Sequence, residues 1–186
     1  MASSLPKIIF LHGNSGEGIS HYWFPYALRA FRKLGLEVVA KDFPDAHLAR
    51  RSIWLPFLQN ECHADKDSIL IGHSSGAIAS MRWAEKHEIF GSVLVGAYYT
   101  DTGSENERLS GYFDDPWDWE AIKKNQRWII QFASVDDPFF PVEEPRLVSE
   151  QLNTEYHEFT DRGHFFAPDF PELVEAVKQA LKLRRP

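Results

Sequence analysis

A single cysteine, Cys62, stands among 186 residues. No disulfide can close within the chain, which excludes the cross-linked frameworks of small secreted domains. Basic charge is also in deficit, with 20 Lys and Arg against 27 Asp and Glu and a formal net charge of −7. A nucleic-acid binder displaces phosphate counterions with a basic field, so this balance argues against that class. Anionic membrane surfaces are disfavoured on the same ground, and no apolar run approaches the roughly 20 residues of a membrane helix. Only Ile8–Leu11 follows Lys7 as an apolar stretch, too little for a secretory signal, and Ala2 stands where a myristoylation signal needs glycine. The expectation is a soluble, cytoplasmic protein of a reducing compartment, with Cys62 as a small buried hydrophobe. Neither nucleic acid nor a membrane is expected as a partner.

What is abundant is aromatic: 14 Phe, 6 Trp and 6 Tyr make up 14% of the chain. Such a content serves a bulky core or the wall of a pocket. At roughly 150 residues per domain the length predicts one domain, residues 1–186. Short apolar runs recur at Lys7–Leu11, Glu37–Ala40, Ser68–Ile71, Ser92–Gly96, Trp128–Ala133 and Glu155–Phe159, with helix-length segments between them. Repeated β-α units imply an α/β fold whose parallel sheet is covered on both faces. Helical spacing is legible in Trp23, Ala27, Ala30, Phe31 and Leu34, in Ala77, Ile78, Met81 and Ala84, and in Leu173, Val174, Val177 and Leu181 after Pro171. Lys178, Lys182, Arg184 and Arg185 fall near the end of that last helix, where the dipole favours cations. Pro56 predicts a kink or a start within the helix around Ile53–Leu58.

One long interruption, residues 98–126, breaks the rhythm. Its seven acids and three bases give 3 − 7 = −4, and it carries Tyr98, Tyr99, Tyr112, Phe113, Trp117 and Trp119. Long irregular insertions in compact domains are functional or disordered. This one is too aromatic for disorder and reads as a lid or pocket wall.

The chemistry concentrates at four turns. Gly72-His73-Ser74-Ser75-Gly76 matches G-x-S-x-G between an apolar strand and a helix, the context a nucleophile elbow requires. The central Ser74 is the candidate nucleophile, and Ser75 would give its backbone N–H to an oxyanion hole. A serine hydroxyl needs an imidazole to take its proton, and the imidazole needs an orienting carboxylate. In α/β-hydrolases these follow in the order Ser, acid, His. Asp136-Asp137-Pro138-Phe139-Phe140-Pro141 follows the fifth run and Gly163-His164-Phe165 the sixth, at separations of 137 − 74 = 63 and 164 − 137 = 27 residues. Asp137 is the candidate acid, with Asp136 as the alternative, and His164 the candidate base. The first strand runs into His12-Gly13-Asn14-Ser15-Gly16-Glu17-Gly18, whose Asn14 N–H is the expected second oxyanion donor. Its glycines do not form G-x-G-x-x-G and no Gly-Lys-Ser/Thr follows, so a phosphate cradle is disfavoured. No metal-ligand spacing occurs, and no cofactor is expected.

Those motifs, with Ser52-Ile53-Trp54-Leu55-Pro56-Phe57, Glu105-Asn106-Glu107-Arg108, Ser110-Gly111-Tyr112-Phe113 and Pro116-Trp117, make the chain resemble the retinoblastoma-binding protein 9 family of small serine hydrolases. The resemblance spans nearly the whole chain. It implies a compact α/β-hydrolase of six parallel strands in the order 2-1-3-4-5-6, with Ser74, Asp137 and His164 as triad. It further implies small ester or amide substrates, amino-acid esters and aminopeptidase-like cleavage among them. The family takes its name from a Leu-x-Cys-x-Glu segment. This chain has Cys62-His63-Ala64-Asp65-Lys66 there, so binding of the retinoblastoma protein is not implied.

An apolar or aromatic acyl group would suit a wall built from Phe139, Phe140, Phe165 and Phe166 beside the acid and base and from Tyr112, Phe113, Trp117 and Trp119 of the insertion. Asp114, Asp115 and Asp118 are candidates to pair with a substrate ammonium. Two other readings remain: a catalytically idle binding or scaffold protein on the same fold, and a flavodoxin-like mononucleotide binder.

Overall fold

The computed structural model describes residues 5–16 and 18–182. Glu17 of the first turn, and Arg184 and Arg185 of the expected cationic helix end, lie outside the described residues. The strands are β1 (Lys7–Leu11), β2 (Val38–Val39), β3 (Ser68–His73), β4 (Gly91–Val95), β5 (Ile129–Ser134) and β6 (Glu155–Phe159). The helices are α1 (Phe24–Lys33), α2 (Arg51–Asn60), α3 (Ser75–Ala84), α4 (Glu105–Ser110), α5 (Trp119–Lys124), α6 (Glu143–Leu152) and α7 (Pro171–Ala180).

Every strand pairing is parallel, and the sheet order is β2-β1-β3-β4-β5-β6. Successive side chains of a strand point to opposite faces, and the two cores follow that alternation. Ile9, Leu11, Leu70 and Leu94 pack with Trp54 and Leu58 of α2, Ile78 and Met81 of α3, and Val148 and Leu152 of α6. Ile8, Phe10, Ile69, Ile71, Val93, Val95, Ile130 and Phe132 pack with Phe24, Ala27 and Phe31 of α1 and Leu173, Val174 and Val177 of α7. Cys62 is 2% exposed in the first core, and burial pushes its thiol up to about 11. It is the packed hydrophobe expected of it.

Two glycines let α3 pass close over the sheet. A Cβ at Gly76 would collide with the Leu11 carbonyl oxygen, and one at Gly72 with the Gly76 carbonyl. The elbow and the end of β1 are thereby pressed together. Pro56 neither starts nor stops α2, which runs through it from Arg51 to Asn60. Its ring is exposed, as is Ser52 one turn earlier. Water can therefore serve the carbonyl that loses a helical partner.

The 98–126 insertion holds α4 and α5, each of six residues. Neither was legible as a periodic stripe. Both are too short to be stable alone, and packing holds them in place. Tyr112 is fully buried in the first core. The Arg82 guanidinium lies 3.6 Å from the Trp117 ring centroid and donates to the carbonyls of Tyr112, Asp115 and Pro116.

Candidate active site

The order of strands reverses between β1 and β3, and the crevice beyond the carboxyl ends of strands at such a point is where ligands bind in open α/β sheets. A cavity of about 540 Å³ opens there. His12, Gly13 and Asn14 reach it from the end of β1, and His73 and Ser74 from β3. His164 comes from the loop between β6 and α7.

Ser74 sits at φ 55° and ψ −122° immediately before α3. A non-glycine residue at positive φ is strained, and here the surroundings hold it. Its N–H donates to Val95 O at 2.9 Å, and its carbonyl accepts from Ala77 N at 2.8 Å. The turn throws the side chain into the cavity at the positive end of α3.

His164 Nδ1 lies 2.6 Å from Asp137 Oδ2, with both side chains almost wholly buried. A carboxylate only accepts, so Nδ1 carries a proton and, in the neutral ring, the lone pair is on Nε2. An imidazole held this way can take a proton at Nε2. Asp137 is itself held by the Phe139 N–H on Oδ1 at 2.9 Å. Asp136 takes a different post. Its Oδ1 accepts from Ser134 Oγ at 2.5 Å and Gly163 N at 2.8 Å, tying the His164 loop to the end of β5. Ser134 Oγ comes first among the influences that hold its carboxyl below the usual range. Gly96, at φ 61°, makes room for the imidazole, since a Cβ there would lie 3.3 Å from His164 Cε1. Among the described residues no hydrogen bond joins Ser74 Oγ to His164, although both side chains face one cavity. Such contacts commonly tighten only once substrate is bound.

The two other histidines of the site are structural. His73 Nε2–H donates to His164 O at 2.7 Å, and burial, reinforced by the neighbouring His164, depresses its pKa to about 3. His12 Nε2 accepts the Phe43 N–H at 2.8 Å, so its Nδ1–H donates to Gly13 O at 2.7 Å. Burial lowers its pKa too. Both rings stay neutral and brace the turns that carry them.

The backbone N–H groups of Asn14 and Ser75 donate to no acceptor among the described residues. Their side chains are engaged. Asn14 Nδ2 donates to Glu107 Oε1 at 2.6 Å, and Ser75 Oγ lies 3.5 Å from the Tyr98 hydroxyl. Glu107 is 8% exposed, and burial raises its pKa.

Of the eight aromatics expected in the wall, Phe139, Phe140 and Phe166 line the cavity. Tyr112, Phe113, Trp117, Trp119 and Phe165 do not. The first four anchor the insertion on the core. Phe165 is buried in the opposite core against Phe159 and Phe170. Tyr22, which was not expected there, joins the wall stacked on Phe166 with centroids 4.5 Å apart. The acids expected to meet an ammonium are elsewhere as well. Asp115 pairs with Arg51 at 2.8 Å, Asp118 caps α5 by accepting from Ala121 N, and Asp114 borders a separate surface depression. Among the described residues the acid that does line the cavity is Glu107, from a segment of the insertion that also brings Thr102, Gly103, Ser104 and Asn106 to the wall. The local signal for it was weak: an acid shortly after a strand's carboxyl end, inside a run dense with acids.

A profile of the serine hydrolase family matches residues 8–179. The chain is 47% identical over 182 residues to the serine hydrolase RBBP9 of Rattus norvegicus, covering 97% of this chain and 98% of that protein. Among solved structures, the ydeN gene product of B. subtilis superposes with a TM-score of 0.82 at 19% identity, covering 95% of this chain and 99% of that one. Est1E of Butyrivibrio proteoclasticus superposes with a TM-score of 0.73 at 14% identity, covering 96% and 88%. These two likenesses concern the fold, whereas the profile and the rat relative concern descent. The chain belongs to the serine hydrolase family.

Proposed function

We propose that the protein hydrolyses small esters or amides through an acyl-enzyme on Ser74. The observation that carries this reading is the Asp137–His164 pair at 2.6 Å, set in the same cavity as a serine at φ 55°. In the proposed cycle His164 Nε2 takes the Ser74 proton as Oγ attacks the substrate carbonyl. Asp137 holds the imidazole in its tautomer and stabilises the imidazolium that forms. The oxyanion of the tetrahedral intermediate is received by the Asn14 and Ser75 N–H groups, which have no other acceptor among the described residues. His164 returns the proton to the leaving group, and water then repeats the sequence on the acyl-enzyme. Phe139, Phe140, Tyr22 and Phe166 give the cavity apolar surface for a compact acyl group. In the amino-acid ester and aminopeptidase-like branch of this reading, a substrate ammonium meets Glu107 rather than Asp114, Asp115 or Asp118.

A fluorophosphonate probe tests the reading. Stoichiometric covalent labelling of the native protein is expected, with labelling and ester hydrolysis both abolished in Ser74→Ala. A folded, unlabelled native protein would instead make this a non-catalytic member of its fold. In the same assay an amino-acid ester should turn over faster than its N-acetylated form, and equal turnover removes the ammonium branch.

A further inference from the structure

We infer that Glu107 is a positioning residue that ties together the two arms of the oxyanion hole, an assignment resting on the Ser74 reading above. The arms come from distant parts of the chain, the turn after β1 and the elbow after β3. They are packed closely enough that a Cβ on Gly13 would lie 3.3 Å from Ser74 Cβ. Backbone packing sets that approach, and one carboxylate joins the side chains of both arms. Glu107 Oε1 accepts from Asn14 Nδ2 at 2.6 Å, and Oε2 accepts from the Tyr98 hydroxyl at 2.8 Å. With the Tyr98 proton committed to Glu107, the weak 3.5 Å contact to Ser75 must run from Ser75 Oγ–H to the Tyr98 oxygen. The chain of donors therefore converges on Glu107 from Asn14 on one side and from Ser75, through Tyr98, on the other.

Those two ends are the residues whose backbone N–H groups are assigned to the oxyanion. Glu107 forms no ion pair with Lys or Arg among the described residues, so its charge is directed at these two donors. Charge-assisted bonds of this kind are short and hold geometry well. The α4 segment of the insertion thus contributes to the catalytic geometry as well as to the wall.

The test uses p-nitrophenyl acetate, which has no ammonium for Glu107 to recognise, together with a trifluoromethyl ketone whose tetrahedral adduct places an oxyanion in the hole. Relative to the native protein, Glu107→Ala should lower kcat about 10- to 100-fold, below the loss seen when a whole oxyanion donor is removed. KM should stay within about 3-fold, and the ketone Ki should rise in step with the fall in kcat, because both report the transition state. Glu107→Gln, which keeps the shape and one acceptor, should lose less. Tyr98→Phe, which spares the Asn14 arm and removes the hydroxyl that faces Ser75 and Ser74, should also lose less. The latter two variants carry the test if Glu107→Ala does not fold. Unchanged kcat and Ki in folded variants overturn the assignment, and so does a rise in KM with kcat intact, which would make Glu107 a ground-state binding group. Fluorophosphonate labelling of the native protein separates the two levels. A labelled native protein with fully active variants removes only the positioning role, whereas an unlabelled native protein removes the Ser74 reading beneath it.

Discussion

The adjacent aspartates after β5 show how one residue of displacement separates two tasks. Asp137 Oδ2 bonds the imidazole, while Asp136 Oδ1 bonds the Ser134 hydroxyl and the Gly163 N–H. Asn in place of Asp137 offers the ring an amide that stabilises no imidazolium and permits the wrong tautomer. Asp137→Asn should therefore lower kcat/KM for a simple ester by about 10³- to 10⁴-fold. Asp136→Asn keeps an acceptor for the loop and should lose no more than about 10-fold, because it acts on His164 only through Gly163. Steady-state kinetics of the two variants on one substrate compare them directly. A larger loss in Asp136→Asn would reverse the assignment. The meeting of Asp137 with His164, beside the cavity that Ser74 also lines, was legible because each residue sits in a short turn with its own local signature. Glu107 was not, since its partners Asn14 and Tyr98 come together only through the fold.

Element by element, legibility followed burial. β1, β3 and β4 read as continuous apolar runs because helices cover both faces. The edge strand β2 shrank to two residues, and β6 is half-exposed, so neither carried so strong a pattern. The insertion was recognisable by composition, but which of its rings faced the cavity was not. That orientation is set by Arg82, a distant residue on α3. Arg82 is 1% exposed, pairs with Glu85 at 2.6 Å, stacks on Trp117 and reaches three insertion carbonyls. Arg82→Ala leaves Glu85 buried without its cation and those carbonyls without donors. The expected loss is about 3–5 kcal/mol in unfolding free energy, read from urea denaturation. Activity should fall with it, because Thr102, Gly103, Ser104, Asn106 and Glu107 of the same insertion wall the cavity. A variant as stable as the native protein would show that the insertion is held by its aromatics alone.

For the molecule as a whole, the same buried histidines that brace the site set how stability responds to acid. His12 and His73 are held neutral inside the fold, chiefly by burial, with the His73 pKa depressed to about 3. In the unfolded chain each would titrate near its ordinary value of about 6.5. Between those values the unfolded state binds more protons than the native one, so stability is full above about pH 6.5 and declines as pH falls toward 3. Each such group contributes a slope of up to about 1.4 kcal/mol per pH unit. Glu107 works in the opposite sense, since burial raises its pKa and the native state takes up its proton first. The carboxyls of Asp45, Asp136 and Glu158 are depressed by their hydrogen-bond partners and add to the loss only at the acid end of the range. Urea midpoints should therefore drop between pH 7 and pH 5, before most carboxylates titrate. His73→Gln should be less stable than the native protein at pH 7, yet lose less on going to pH 5, because the group that must stay uncharged is gone. Equal pH dependence in the two proteins would mean that His73 accepts a proton in the folded state, which is incompatible with the dry packing that holds the His164 loop in place.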